Sequence, residues 1–299
     1  MTTSLRGVLV ALATPFTSDQ ALDEAGLRAL VDRTIDGGVH GVVACGSTGE
    51  FTALTSDERR QVVETVVAQA GGRVPVVAQT GATSTAEAIA LTRHAEAAGA
   101  DVVMPVAPYY EPLTLAETLA YLRRVADSVQ IPVMLYNLPH ATGVNLTPDV
   151  VADLARDVPN VRYIKNTSPD MAQAAQLIHH HGDLVSTFVG WDSLMLSALV
   201  SGAAGVMAGT ANVIPAELVA VYDAVKAGDL DAARHAWDTV FPLLDAALDM
   251  PYVTAVKAAL DAAGHSAGPT REPLLPLQPE LNARIRTLVA ALHREPATV

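Results

Sequence analysis

Residues 132–165 read PVMLYNLPHATGVNLTPDVVADLARDVPNVRYIK: a short apolar run, an amphipathic segment and a second short apolar run. The runs Pro132–Tyr136 and Val161–Lys165 have the length of buried strands rather than of helices. Thr147-Pro148 opens the segment between them and supplies a proline at the first helical position. The stretch therefore predicts a strand–helix–strand unit with parallel strands.

The same alternation extends from the start of the chain to about residue 226. The segments between the strands carry apolar residues at spacings of three and four, as amphipathic helices do. Eight strands are predicted: Gly7–Ala13, Gly41–Ala44, Val74–Ala78, Asp101–Met104, Pro132–Tyr136, Val161–Lys165, Leu184–Val189 and Gly205–Met207. Eight units in about 225 residues, with no glycine-rich dinucleotide fingerprint after the first strand, favour an α/β fold of the (β/α)8 TIM-barrel class over an open sheet.

The pattern changes after the eighth unit, where strands stop and helical periodicity continues. Leu230–Leu248, Val253–Ala263 and Leu281–Leu292 are predicted as helices. We therefore expect a barrel over residues 1–225 and a C-terminal helical extension over residues 226–299. No Ser-, Gly- and Pro-rich linker separates the two, so the extension is expected to pack on the barrel.

Composition and charge exclude several classes of protein. Half of the 299 residues are hydrophobic and 17% are charged, which is typical of a globular protein with a sizeable core. The net charge is −13 and the cations are scattered, so no nucleic acid partner is expected. With one cysteine, and no export pattern in Met1–Phe16, we expect a cytoplasmic protein.

One uncharged stretch has the length of a membrane span. Ser193–Ala216 has 24 residues without a charge, but glycines, an asparagine and a proline interrupt it. It predicts an apolar helix at Leu194–Val200 and a strand around Val206-Met207, with no membrane contact.

Active sites of such barrels lie at the carboxyl ends of the strands. The residues that follow the predicted strands are Gly46-Ser47-Thr48-Gly49-Glu50, Tyr109-Tyr110, Tyr136-Asn137, Lys165-Asn166-Thr167-Ser168 and Gly190-Trp191-Asp192. Hydroxyls and one amine predominate, and no cluster of metal ligands is found, so neither a metal nor a cofactor is expected. His179-His180-His181 are consecutive and would point about 100° apart on a helix, which disfavours a metal-dependent aldolase.

The amine is the most informative of these groups. The chain has 16 Arg and three Lys, of which Lys226 and Lys257 are predicted on helices among polar neighbours, whereas Lys165 ends an apolar strand. Desolvation lowers the pKa of an amine and so favours the unprotonated nucleophile that forms a Schiff base, a reaction that arginine cannot perform. The structural alternative is a lysine paired with a carboxylate at a strand end.

Two neighbours complete this constellation. Tyr136 ends the preceding strand, which places its phenol within expected hydrogen-bonding reach of Lys165, where it can transfer protons. The Gly46–Glu50 loop offers backbone N–H groups and two hydroxyls to a carboxylate. A phosphate would fit the loop equally well, and the loop can also be a plain strand-to-helix turn. Cys45 beside it is a possible nucleophile or a small buried residue.

The motifs together resemble those of the dihydrodipicolinate synthase and N-acetylneuraminate lyase superfamily of pyruvate-dependent class I aldolases. The similarity covers nearly the whole chain and rests on Gly46–Glu50, Pro108-Tyr109-Tyr110, Tyr136-Asn137-Leu138-Pro139, Ile164-Lys165, Gly190-Trp191-Asp192 and Gly205-Val206-Met207.

The resemblance implies roles for individual residues. Lys165 corresponds to the Schiff-base lysine, Tyr136 to the proton shuttle and Ser47 to a proton relay. Tyr110 corresponds to a tyrosine that members lend to a neighbouring subunit, which implies a homotetramer built as a dimer of dimers. The residues implied in substrate binding are Gly46, Thr48, Ala141, Gly190, Asp192 and Met207.

Departures from the pattern bear on the substrate. Members that condense pyruvate with aspartate semialdehyde have an arginine where this chain has Ala141, and sialic-acid lyases have a glutamate where it has Ser193. Asp192 matches the lyases, although it could instead cap the following helix. Trp191 could wall an aromatic or apolar acceptor.

We therefore expect a Schiff-base-forming lyase or aldolase acting on pyruvate or a hydroxylated 2-keto acid. The alternatives are a 2-keto-3-deoxy sugar acid dehydratase, a 4-hydroxy-tetrahydrodipicolinate synthase despite Ala141, and a keto-acid-binding regulatory barrel without turnover.

Overall fold

A closed barrel of parallel strands forms the centre of the computed structural model, which describes residues 5–292. The eight strands pair in chain order and β1 closes on β8. They are β1 (Gly7–Ala11), β2 (Gly41–Ala44), β3 (Val76–Gln79), β4 (Val102–Met104), β5 (Val133–Asn137), β6 (Val161–Asn166), β7 (Ser186–Val189) and β8 (Gly205–Ala208). The predicted (β/α)8 barrel is confirmed, and the strand ends differ from the predicted ones by at most two residues.

Helices surround the barrel and continue beyond it. They are α1 (Glu24–Asp36), α2 (Ser56–Ala70), α3 (Thr85–Ala98), α4 (Leu115–Ala126), α5 (Pro139–Thr142), α6 (Pro148–Asp157), α7 (Met171–His181), α8 (Met195–Val200), α9 (Pro215–Ala227), α10 (Leu230–Leu248), α11 (Tyr252–Ala262) and α12 (Pro279–Leu292). Helix α6 begins at Pro148, as predicted, and α2 begins with a complete capping box between Thr55 and Glu58.

The C-terminal extension consists of α10, α11 and α12, which confirms the three helices predicted after the barrel. Helix α10 packs on α9 and α12, and α11 packs on α12. The domain limits at residues 225 and 226 stay a prediction, and α9, the last barrel helix, ends at Ala227.

The uncharged stretch Ser193–Ala216 is divided as predicted. It contains the short helix α8, the strand β8 and a 3-10 turn at Thr210–Asn212. Within residues 5–292, no helix combines the length and the apolar character that crossing a bilayer needs.

Large apolar side chains on the strands are buried on both faces of the barrel wall. Met104, Met134, Leu135, Ile164 and Phe188 are among the largest fully buried residues, and all of them lie on strands. The polar groups described next therefore sit on a rigid apolar base at the carboxyl ends of the strands.

Candidate active site

The strand register brings Lys165 and Tyr136 together. Their Cα atoms are partners in the β5–β6 pair, so both side chains project to the same face of the sheet. Lys165 Nζ donates to Tyr136 Oη at 3.2 Å, and both residues are buried, with exposures of 4% and 3%. The predicted hydrogen-bonding reach is therefore confirmed in this chain.

Ser47 extends this contact into a chain of three groups. Its Oγ lies 3.2 Å from Tyr136 Oη, and either atom can donate. We call Ser47, Tyr136 and Lys165 the relay. A phenol that touches both an amine and a second hydroxyl can pass a proton between them, which is the function that imine chemistry requires of a shuttle.

The Gly46–Glu50 loop presents two backbone donors. Gly49 N and Glu50 N are used within the loop, on the carbonyls of Gly46 and Ser47. The N–H groups of Ser47 and Thr48 donate to no group within residues 5–292. A Cβ built on Gly46 would meet nothing within 4 Å, so the space in front of the loop is open. Such converging donors suit an anion.

Glu50 anchors the end of this loop in an unusual conformation. Its φ is 55°, and its side chain pairs with Lys257 Nζ at 2.7 Å and accepts from Arg271 N at 2.8 Å. The sequence predicts Lys257 on a helix among polar neighbours, and it lies on α11, but it is buried there. Lys257 lies on the face of α11 that packs toward the barrel, with its ammonium over the Phe16 ring at 4.3 Å. Burial lowers the pKa of Lys257, and the carboxylate of Glu50 opposes this shift.

Gly190 leaves room for the side chain of Lys165. A Cβ at this position would lie 2.3 Å from Thr167 Oγ1 and 2.6 Å from Lys165 Cε, so any side chain would displace one of them. Thr167 Oγ1 is buried and has no hydrogen-bond partner within the described chain. It is a free polar atom beside the amine; the sequence places Thr167 at this face of the barrel but assigns it no role.

Asp192 is held from two other elements. Its Oδ2 accepts from Thr210 Oγ1 at 2.6 Å and from Tyr252 Oη at 2.6 Å. The alternative that Asp192 caps the following helix is wrong, because its side chain makes no capping bond and turns to these hydroxyls instead. Burial raises the pKa of Asp192. Burial, reinforced by this carboxylate, also raises the pKa of Tyr252 well above its usual value.

Thr48 and Gly209 lie next to Tyr252, the residue that donates to Asp192. A Cβ at Gly209 would lie 2.6 Å from Tyr252 Oη and 2.9 Å from Thr48 Oγ1. Thr48 is buried, as is Met207 on β8. The C-terminal extension therefore reaches Asp192, and the neighbourhood of Thr48, through Tyr252. Sequence analysis missed Tyr252 and Thr210, because no local pattern indicates that α11 docks here.

A buried amide network fixes the ends of β5 and β6. Asn137 Nδ2 donates to Asn145 Oδ1 and Asn166 Oδ1, both at 2.9 Å, and Asn137 Oδ1 accepts from Leu146 N at 2.9 Å. The network ties the segment after α5 to the two strands that carry the relay.

Ala141 lies on α5, beside a cavity of about 190 Å³ that opens next to Ser47. We call it the acceptor cavity, and its lining residues are Ser47, Phe51, Thr52, Val106, Tyr109, Leu138, Ala141 and Thr142. Trp191 does not line it, and its ring instead meets His140 edge-on at 6.0 Å.

Tyr110 lies away from the relay of its own chain. It is 82% exposed, whereas the preceding Tyr109 is half-buried with its ring edge-on to Phe51 at 5.6 Å. Its expected role in a neighbouring subunit stays a prediction.

The remaining sequence candidates take structural positions. Burial raises the pKa of Cys45 to about 12, so this thiol is not an activated nucleophile. His179 and His180 are exposed, whereas His181 is buried and contacts Asp149 at 3.2 Å. Among the residues described, no group of three or more His, Cys, Asp or Glu is placed to hold a metal ion.

Comparisons of sequence and of structure with known proteins both lead to one protein family. The model of the Dihydrodipicolinate synthetase family matches residues 4–292. The 4-hydroxy-tetrahydrodipicolinate synthase of Methanoculleus marisnigri is 40% identical over 286 residues, which cover 95% of this chain and 98% of that protein.

Two solved structures are similar over their whole length. YagE, a prophage protein of the dihydrodipicolinic acid synthase family from E. coli K12, was solved in complex with pyruvate; it is 33% identical with a TM-score of 0.92, covering 97% of this chain and 99% of its own. Dihydrodipicolinate synthase from Aquifex aeolicus is also 33% identical, with a TM-score of 0.92. The match covers 95% of this chain and 97% of that one.

Proposed function

Since the chain belongs to the dihydrodipicolinate synthetase family, as its motifs predicted, we propose that it forms an imine between Lys165 and the keto carbon of pyruvate and makes or breaks a carbon–carbon bond on that imine. Membership also confirms the predicted enzyme class, a lyase. The observation that carries the proposal is the buried 3.2 Å contact between Lys165 Nζ and Tyr136 Oη.

The relay supplies the proton transfers of this reaction. The amine adds to the keto carbon, water leaves the carbinolamine, and a proton lost from C3 gives an enamine. Tyr136 is placed to carry protons to and from the oxygen atoms in these steps, and Ser47 is placed to exchange them with it. In cleavage the bond between C3 and C4 breaks, its electron pair stays on C3, and the 4-hydroxyl proton passes to the phenolate.

The keto acid's carboxylate fits the Gly46–Glu50 loop. The free N–H groups of Ser47 and Thr48 supply two donors, and the open space at Gly46 leaves the loop accessible. With the carboxylate there, the small volume at Gly190 leaves room for the imine next to Thr167 Oγ1.

A second candidate is 4-hydroxy-tetrahydrodipicolinate synthase, the name borne by the relatives at 38–40% identity. Ala141 argues against it, because it offers no charge to a second carboxylate. A charge-assisted hydrogen bond of this kind is worth about 1.5–3 kcal/mol. The two candidates share the imine and differ in the aldehyde.

We further propose a homotetramer, a dimer of dimers, in the cytoplasm. Tyr110 supports the assembly, since it is 82% exposed and has the position of a residue that relatives lend to a neighbour. The single cysteine, buried and free, fits a reducing compartment.

The proposal is tested by trapping. Wild-type protein incubated with pyruvate and borohydride should gain one carboxyethyl group per chain by intact mass, because borohydride reduces the imine to a stable amine. Lys165→Ala should gain none. An unmodified wild-type protein, or the same adduct on Lys165→Ala, would reject the proposal.

A further inference from the structure

Resting on the proposed function, we infer that the aldehyde that reacts with the pyruvate enamine is uncharged and carries an apolar substituent, which lies in the acceptor cavity. The physiological keto acid is then a 4-hydroxy-2-keto acid with an apolar tail.

The size of the cavity sets the size of the substituent. Its volume is about 190 Å³, and an apolar protein cavity of about 150 Å³ binds benzene. A chain of three to six carbons, or one phenyl ring, therefore fits. Phe51, Val106, Leu138 and Ala141 line the cavity and supply the apolar surface.

The charge of the residues that line the cavity decides the chemical class of the substituent. Within residues 5–292, no Lys, Arg, His, Asp or Glu contributes to this lining. The guanidinium of Arg59 lies 5.2 Å over the Phe51 ring, but it donates to Gln79 Oε1 at 2.7 Å and is itself buried. A carboxylate in the cavity would lose its water without gaining a cationic partner, whereas an alkyl or phenyl group loses nothing.

Ser47, Thr52, Tyr109 and Thr142 bring hydroxyls to the cavity, whose lining is otherwise apolar. Ser47 belongs to the relay, and Thr142 Oγ1 already donates to the carbonyl of Leu138 at 3.1 Å. Among the lining residues, Thr52 and Tyr109 remain as partners for a polyhydroxylated substituent, whose other hydroxyls would be buried against Phe51, Val106 and Leu138.

The position of the cavity fits the bond-forming step. The cavity adjoins the relay at Ser47, so an aldehyde can place its oxygen toward Ser47 and Tyr136 with its substituent among the apolar side chains. C3 of the enamine then bonds to the aldehyde carbon, the carbonyl electron pair moves to oxygen, and the Tyr136 hydroxyl gives that oxygen its proton. Hydrolysis of the imine releases the 4-hydroxy-2-keto acid and restores the amine.

A matched panel of aldehydes tests this inference on the full-length protein. Butanal, succinic semialdehyde, aspartate semialdehyde and erythrose share a four-carbon chain and differ in charge and hydroxylation, and benzaldehyde tests the size. Pyruvate consumption should give kcat/KM values for butanal and benzaldehyde at least tenfold above those for the other three. A charged or hydroxylated aldehyde that reacts as well as butanal, or a protein that consumes none of the five, overturns the inference.

Substitution at Ala141 provides a second test of the inference. Ala141→Arg should shift the ratio of kcat/KM between succinic semialdehyde and butanal at least tenfold toward the charged aldehyde, because it places a cation in the cavity. Ala141→Leu is the matched control for size and should reduce the value for benzaldehyde without that shift. An equal shift in both variants would contradict the role of charge.

Failure of the inference is distinguishable from failure of the proposed function. The borohydride adduct of pyruvate on wild-type protein involves no aldehyde. If it forms while charged aldehydes are preferred, only this inference is wrong; if it does not form, both are wrong.

Discussion

Lys165 and Tyr136 meet because each ends a strand and the two strands are neighbours in register. Both facts are visible in the sequence, as short apolar runs that stop at a lysine and a tyrosine. The contact to Ser47 depends on a loop after β2, whose backbone path the sequence does not specify. Cys45 and Glu50 both take positive φ there, 57° and 55°, a conformation that non-glycine residues seldom adopt.

Removal of the Tyr136 hydroxyl should disconnect the relay. We expect Tyr136→Phe to lower kcat by about 10² to 10⁴-fold, the usual contribution of a proton-transferring side chain, while pyruvate still reaches Lys165. Steady-state kinetics with pyruvate and butanal, or with whichever aldehyde the wild type uses best, measures the change.

Tyr163→Phe is the matched control for Tyr136→Phe. Its hydroxyl also lies in the barrel, but it accepts from Leu5 N at 3.2 Å and does not belong to the relay. If both variants lose activity equally, the hydroxyl of Tyr136 has no special part in proton transfer.

At the scale of elements, the alternation of runs predicted all eight strands and the three helices after the barrel. The type and the order of the strands and helices follow from local periodicity in the sequence, so both could be predicted. The contacts of α11 and of the segment after it were not predictable, because they join positions far apart: Tyr252 bonds Asp192 across 60 residues, and Arg271 bonds Glu50 across 221. The burial of Lys257 could not be predicted for the same reason.

An ion pair between Glu58 and Arg271 joins the start of α2 to the segment after α11. Arg271 donates to Glu58 Oε1 at 2.6 Å and to Glu58 Oε2 at 2.9 Å. These bonds hold the pKa of Glu58 down, from 4.5 to about 2. Because the folded pKa lies below the unfolded one, the pair contributes its full stability above pH 4.5 and loses it as the pH falls toward about 2.

Glu58→Gln should therefore lower stability in a pH-dependent way. Glutamine keeps the capping box, so the loss reports the charge, and we expect about 1–2 kcal/mol near pH 6 because Glu58 keeps 24% exposure. The difference in Tm between wild type and variant, measured by calorimetry, should shrink between pH 6 and pH 3.

Asp57→Asn is the control in the same helical turn. Asp57 is 93% exposed and should contribute no more than a few tenths of a kcal/mol at any of these pH values. A Tm difference for Glu58→Gln that stays constant with pH would contradict the assignment.

For the molecule as a whole, the extension and the barrel share one buried ion pair. Lys257 and Glu50 approach to 2.7 Å with side-chain exposures of 4% and 1%, and Lys257 also donates to the carbonyl of Pro269 at 2.7 Å. The pair joins α11 to the loop that presents the free N–H groups of Ser47 and Thr48. Docking of the extension and the shape of the candidate site are therefore coupled.

Removal of one partner should cost more than removal of both. Lys257→Met leaves the carboxylate of Glu50 buried without its cation, and we expect a loss of about 3–5 kcal/mol in the free energy of unfolding, measured in urea at fixed protein concentration. The double variant Glu50→Gln, Lys257→Met buries no lone charge and should be more stable than Lys257→Met alone. A Lys257→Met protein as stable as wild type, or a double variant less stable than the single one, would contradict the coupling.

The central claim is that one nitrogen, that of Lys165, captures the keto acid. The chain has only three lysines, so the protein trapped with pyruvate and borohydride can be digested and the modified residue located by peptide mass spectrometry. We predict that the carboxyethyl group lies entirely on Lys165, with the peptides of Lys226 and Lys257 unmodified. Modification of either of those two lysines in place of Lys165 would contradict the account.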